Sequence, residues 1–230
     1  MKHPISDLSE LLFCEYKYYL LRVKKVKPTV TQKMKEGTKA HNELVELNKK
    51  KKEELKKKKE KYKDKVKDIK KSDLTKKEKE KKIKEIVKPP KDTEWREYKV
   101  IGKRLKGRID EIKISDGIVY IIDDKSTDRA FDSDKTQVYG YCVAYLEQHP
   151  DENRVLECIL RNHKTGVVFW RELFTDTAKR IVYELLDKMD GILKGEVTPV
   201  PTTSSSKCRY CNISNVCTKK VEDYDLNDMY

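Results

Sequence analysis

The chain has 230 residues, 40% of them charged, with six cysteines and a formal net charge of +13. That length suits one or two domains around a real core, and the composition excludes a membrane protein and a small disulfide framework. The basic surplus is local, since residues 49–88 carry 21 Lys against nine Asp and Glu and leave the rest near neutral. Abundant Lys and Glu also fit a thermophilic origin.

Glu10, Glu15 and Lys17 interrupt the apolar residues near the N-terminus. No signal peptide or membrane span is therefore expected, and the reading is of a cytoplasmic protein without a membrane partner. Residues 1–22 read as one short amphipathic helix entered at Ser6-Asp7, with Leu8, Leu11, Leu12, Tyr16, Tyr19 and Leu20 at near-helical spacing. Cys14 falls inside it and, taken alone, reads as a small buried hydrophobe. Residues 34–47 form a second amphipathic stretch, which places His41 beside Ala40 and Leu44. A single histidine there has an ordinary structural explanation.

Residues 48–90 read as an inserted Lys-rich helical hairpin. Leu55, Tyr62, Val66 and Ile69 recur on one side, Ile83, Ile86 and Val87 on another, Thr75 with Glu78 resembles a capping box, and Pro89-Pro90 ends the run. Two readings stand: an arm that contacts phosphates, or a solvated hairpin whose charge confers solubility.

A sheet follows, with three antiparallel strands expected at residues 94–101, 103–115 and 118–123. Asp116-Gly117 suits a tight hairpin turn, and the apolar run Ile118-Val119-Tyr120-Ile121-Ile122 suggests a strand covered on both faces. Asp110 lies in the first hairpin strand, and the second ends in Asp123-Asp124-Lys125. Carboxylates a few ångströms apart repel unless a cation sits between them, and oxygen ligands suit Mg²⁺ or Mn²⁺. Asp123 and Lys125 are two apart, so they project to one face, where the ammonium can orient a water or help deprotonate it. The competing account is a surface hairpin with solvated ion pairs. Glu97 reads as an added carboxylate or as an exposed strand residue.

Residues 124–133 read as a polar loop, and a helix is expected over about 134–148, with Gln137 and Tyr141 on one face and Val138, Cys142, Ala144 and Tyr145 against the sheet. Two more strands, residues 154–161 and 167–173, extend the sheet and pack Cys158. Residues 175–193 form a helix capped by Thr175, with Ala178, Ile181, Val182, Leu185, Leu186 and Met189 buried. Residues 195–207 form a loop that leads to Cys208-x-x-Cys211 and, after five residues, Cys217. Three closely spaced cysteines need a fourth ligand, and Cys14 is the one available. Such a tetrathiolate holds zinc or an iron–sulfur cluster, and spacing does not choose between them.

Asp110 followed by Asp123-x-Lys125 at the end of an apolar strand resembles the metal-binding core of the PD-(D/E)xK nuclease superfamily, in its RecB-like branch. His41 on a helix after Gly37, and Gln137-x-x-x-Tyr141 on the helix after D-x-K, are similar to further features of that branch. With Cys14, Cys208, Cys211 and Cys217 included, the chain resembles the CRISPR-associated RecB-like exonuclease family from Cys14 to Cys217. The resemblance implies an α/β (α+β) restriction-endonuclease-like core, a central mixed sheet flanked by helices, formed by residues 1–47 and 91–230. The insert 48–90 matches no motif of the family. A [4Fe–4S] cluster on the four cysteines is implied, with zinc as the alternative. So is Mg²⁺ or Mn²⁺ held by His41, Asp110, Asp123 and the backbone carbonyl of Asp124. Lys125 would align the nucleophile, while Gln137 and Tyr141 would steady the lysine or the DNA backbone. The implied activity is metal-dependent exonucleolysis of single-stranded DNA, typically 5′ to 3′, trimming spacer precursors alongside the CRISPR integrase complex. The rival readings are a non-catalytic DNA-binding scaffold and a RecB-like nuclease subunit of a DNA repair complex.

Overall fold

The computed structural model describes residues 1–30, 35, 39, 42, 43, 46, 53 and 93–221. In chain order its elements are β1 (His3–Pro4), α1 (Ser6–Phe13), α2 (Glu15–Arg22), β2 (Thr93–Ile101), β3 (Leu105–Ser115), β4 (Ile118–Lys125), α3 (Asp132–Gln148), β5 (Val155–Asn162), β6 (Val168–Leu173), α4 (Asp176–Lys194) and α5 (Ser205–Arg209). All belong to a unit formed by Met1–Met34 and Glu94–Tyr230, apart from Thr93 at the start of β2. Lys35–Thr93 form a second unit. Most of the expected helix over 34–47, including His41, and nearly all of the insert 48–90 lie outside the described residues.

The hairpin at Asp116-Gly117 forms as its composition predicts. Both residues have positive φ, 51° and 78°, which is what a two-residue type I′ turn requires. That turn sets the register of β3 against β4, which pairs Glu111 with Ile122 and Ile112 with Ile121 in antiparallel sense. β2 also pairs with β3, across a turn in which the Gly102 N–H donates to the Leu105 carbonyl at 2.9 Å. The six strands form one mixed sheet in the order β1-β3-β4-β5-β6, with β2 beside β3. β1 and β3 are parallel, as are β4 and β5, while β5 and β6 are antiparallel. A parallel neighbour needs a long crossover, and α3 supplies it between β4 and β5.

Register decides which side chains meet the helices. Ile112, Val119, Ile121, Cys158 and Leu160 share the face that α3 covers, all within the core. Cys142 and Cys158 approach at 3.4 Å between sulfurs, both fully buried, so they pack the core as expected. The opposite face is not covered in the same way. Ile122 and Ile159 are buried there outside the main core, Ile118 and Tyr120 are half-buried, and ion pairs on Glu111, Asp124 and Glu157 lie beside them. The apolar run of β4, expected to be covered on both faces, thus has one face in the core and one beside guanidinium and carboxylate groups.

The expected N-terminal helix is two helices broken at Cys14, whose φ of −169° and ψ of 119° are extended. Ile181 is exposed and Leu185 half-buried on α4, where Val182, Leu186, Met189 and Ile192 carry the contact. The segment 195–207 is not all loop, because α5 begins at Ser205 with the Ser204 hydroxyl accepting from the Lys207 N–H. β4 and α3 both extend into the expected 124–133 loop. Thr175 does cap α4, accepting from the Ala178 N–H at 3.2 Å. Among the described residues no helix is long and apolar enough to cross a membrane.

α1 lies directly on α3, and Gly140 is what lets it come close. A Cβ there would stand 2.5 Å from Leu8 Cδ1 and 3.2 Å from Ile5 Cγ2. Gly140→Val is expected to cost about 1–3 kcal/mol by overpacking, despite a better helix propensity, read as a lower urea midpoint.

Candidate active site

The register that pairs Glu111 with Ile122 brings Asp110 level with Asp123 when carried one residue further. Asp110 Oδ2 accepts the backbone N–H of Asp124 at 2.7 Å. Asp123 and Lys125 alternate with Asp124, so both project toward α3 as their spacing predicts, and Asp124 points to the other face. Asp123 is 3% exposed. Its Oδ2 lies 2.7 Å from Lys125 Nζ, in an ion pair.

Lys125 is held from three sides. Besides Asp123 it meets Asp134 Oδ1 at 3.3 Å and Gln137 Oε1 at 3.2 Å. The same Gln137 oxygen accepts the Ser9 hydroxyl at 2.9 Å, while Gln137 Nε2 donates to the Tyr141 hydroxyl at 3.1 Å. Both ends of the amide are thereby engaged. Gln137 and Tyr141 thus join the D-x-K residues in one connected group. Asp134 and Ser9 belong to it too, although the sequence reading passed over both. Asp134 had a signal, since it precedes Gln137 by three and Tyr141 by seven on the same helical stripe. Ser9 had none: it meets Gln137 only because α1 folds onto α3.

The electrostatics follow from burial. Asp110 is pushed up to about 8, first by loss of water and then by the charge of Asp123 beside it, with Asp124 and Glu97 adding to the effect and the Asp124 N–H opposing it. Asp123 is raised for the same leading reason, against the lowering influence of Lys125. Burial works to discharge Lys125, yet Asp123 and Asp134 outweigh it and hold the lysine above its usual range. A lysine so held is an ammonium, suited to orienting a water or a phosphate oxygen and not to removing a proton.

Glu97 is part of this field. Its φ of 53° is left-handed within a strand, a conformation that costs a non-glycine residue of order 1 kcal/mol or more. The Arg108 guanidinium stands 3.4 Å from its carboxylate. Glu97 is half-buried, and its charge is the last of the causes that raise Asp110 and Tyr141.

The two carboxylates suit a hard divalent cation, since a cation between them removes the repulsion that raises Asp110. His41 lies outside the described residues. Among the described residues no group of three or more His, Cys, Asp or Glu is arranged as it stands to hold a metal ion.

A second cluster lies at the break in the N-terminal helix. Cys14, Cys208, Cys211 and Cys217 line one pocket together with Phe13, Ile213 and Thr202. Thr202 N–H points to Cys14 Sγ and Val221 N–H to Cys208 Sγ, each at 3.4 Å. Burial raises the Cys211 thiol, against the Ile213 N–H and Lys17. None of the four is in a disulfide. Sulfurs from sequence positions almost 200 apart thus line one pocket, with N–H groups directed at two of them, although among the described residues they are not arranged as they stand to hold a metal ion.

The raised Asp110 makes a prediction about pH. An unfolded aspartate titrates near 3.9, so from about pH 4 to 8 the folded chain binds the extra proton, and stability falls as pH rises through that window. Melting in a chelator should show that decline for the parent chain. Asp110→Asn is expected to flatten much of it and to melt at least about 2 °C higher at pH 8.

Comparison with known proteins bears on the same residues. Over the whole chain, a crystal structure of a provisionally named exonuclease from Eubacterium rectale superposes with a TM-score of 0.51, covering 99% of this chain and 92% of its own at 11% identity. The crystal structure of SSO0001 gives 0.34 over 62% of this chain and 65% of that one, at 17% identity. Among curated proteins none matches the sequence significantly. The family match covers residues 5–218, a span that includes Asp110, Asp123, Lys125 and all four clustered cysteines. The chain belongs to the PD-(D/E)XK nuclease superfamily.

Proposed function

We propose that this nuclease is a metal-dependent DNA exonuclease that acts on single strands with 5′ to 3′ polarity and trims spacer precursors in CRISPR adaptation, in company with the integrase complex. The observation that carries the hydrolytic reading is the buried pair Asp110 and Asp123 with Lys125 charged beside them. The exonuclease name of the Eubacterium rectale protein points the same way. The cysteine pattern supports the finer assignment. Four thiols that tie the N-terminal helices to the C-terminal loop are what the CRISPR-associated family carries, and here all four line one pocket.

Asp110, Asp123, the Asp124 carbonyl and His41 would hold one or two Mg²⁺ or Mn²⁺ ions. The bound ion supplies Lewis-acid activation of water and neutralises charge on the phosphoryl oxygens. Lys125, kept cationic by its neighbours, orients the attacking water against the scissile phosphate, and Gln137 limits where its ammonium can go. Tyr141, buried and held by Gln137, stiffens that link. Cys14, Cys208, Cys211 and Cys217 would hold a [4Fe–4S] cluster in a structural role, with zinc as the alternative occupant.

Labelled single-stranded DNA incubated with Mn²⁺ tests the catalytic part. Asp110→Asn is expected to abolish hydrolysis and Lys125→Met to slow it about 10²–10³-fold, whereas equal turnover by the parent and Asp110→Asn would leave only a DNA-binding scaffold. Visible and EPR spectra of anaerobically purified protein test the cluster. Iron signals lost in Cys208→Ser are expected, and zinc without iron would weaken the CRISPR-family assignment and favour a structural zinc.

A further inference from the structure

We propose that Arg161 is a positioning residue for the metal site, acting from the opposite face of the sheet through Asp124. The inference rests on the nuclease reading of Asp110 and Asp123 and adds a group that touches neither of them directly.

Asp124 is an unusual occupant of its position. It stands between two residues that face α3, and its side chain, 8% exposed, turns to the other side of a central strand. A carboxylate buried there is costly unless it is fully paired. The parallel register sets Arg161 of β5 level with it. Arg161 Nε meets Asp124 Oδ1 at 2.7 Å and Arg161 Nη2 meets Oδ2 at 2.8 Å, the two-pronged match in which a guanidinium fixes both position and rotation of a carboxylate. The grip extends to β3 and β2. Arg161 Nη2 also donates to Glu111 Oε2 at 2.8 Å, and that oxygen takes Arg96 Nη2 at 2.5 Å.

The other end of Asp124 reaches the site. Its backbone N–H is the donor that holds Asp110 Oδ2 at 2.7 Å. One residue is thus clamped by its side chain beneath the sheet and presents its amide to a site carboxylate above. Turning the end of β4 about its axis would take that amide off Asp110 and would swing Asp123 and Lys125, its two neighbours, by the same motion. Arg161 also places a cation beneath a third carboxylate, whose charge acts on both Asp110 and Asp123. On the same face, Arg171 of β6 pairs with Glu157 of β5 at 2.5 Å, and this pair provides a comparison for an ordinary sheet ion pair.

Direct Mn²⁺ binding to the purified 230-residue chain, followed by the EPR signal of free Mn²⁺, separates positioning from mere stability. Arg161→Met is expected to weaken binding about 10–100-fold, as loss of a group that orients a metal ligand does. Arg161→Lys keeps the charge without the fork and should recover only part of the loss. Arg171→Met should stay within about 2-fold of the parent. In an Asp124→Ala background Arg161→Met should add no more than about 2-fold, because the route through Asp124 is already cut. With DNA, the loss should appear in the Mn²⁺ concentration for half-maximal rate, and KM for DNA should not change. Parent-like Mn²⁺ affinity in folded Arg161→Met, or in Arg161→Lys if the methionine variant does not fold, overturns the proposal. So do effects of Asp124→Ala and Arg161→Met that simply multiply. Equal Mn²⁺ binding by the parent and Asp110→Asn is a different failure, since it removes the metal site itself.

Discussion

Asp110 and Asp123 place two like charges at the end of a sheet, largely out of water, and much of the surrounding structure answers that repulsion. The Asp124 amide takes one oxygen of Asp110, and Lys125 stands against Asp123. Lys125 is kept in place by Asp134 and by a glutamine that is itself fixed through Ser9 and Tyr141. These contacts draw on β3, β4, α1 and α3 together, so the site is as rigid as the packing of those elements. What they leave unrelieved is a buried carboxylate pair that keeps a proton on Asp110 up to about pH 8. In the proposed reading a divalent cation takes the place of that proton.

The same packing explains why the N-terminal segment cannot be one continuous helix. Continuing α1 past Phe13 would carry Cys14 around a helical face. The extended backbone at Cys14 instead lets its sulfur enter the pocket shared with Cys208, Cys211 and Cys217. Nearby contacts repeat the closure: Tyr16 N–H to the Val200 carbonyl at 3.3 Å, Thr29 N–H to the Asn212 carbonyl at 2.7 Å, and Lys188 to Glu15 at 2.6 Å. Joining the two ends fixes α1, and α1 carries Ser9. The thiol pocket and the carboxylate site are therefore linked through one eight-residue helix, with no direct contact needed between them.

Much of this was legible in the chain. Asp-Gly between apolar runs predicts a type I′ hairpin because only residues tolerant of positive φ fit there, and the hairpin in turn sets Asp110 level with Asp123. The two-residue alternation of Asp123 and Lys125 predicts a shared face, and the four-residue spacing of Gln137 and Tyr141 predicts a shared helical stripe. Each is a local rule of backbone geometry. Less legible was the cover on β4, since Ile118, Tyr120 and Ile122 read as core residues when the partners of the other face are unknown. The break at Cys14 was equally hidden, because periodicity continues across it.

The sequence by itself determined how neighbours along one strand or one helix are aimed, because side-chain direction within an element follows from its repeat. Only the tertiary structure decided the contacts between elements: Ser9 on Gln137, Arg161 on Asp124, and Cys14 among the distant cysteines. Those pairs are separated by 128, 37 and about 200 residues, and no local repeat encodes them. They exist because burying the apolar faces of α1, α3 and the sheet leaves one arrangement in which the polar groups carried along also find partners.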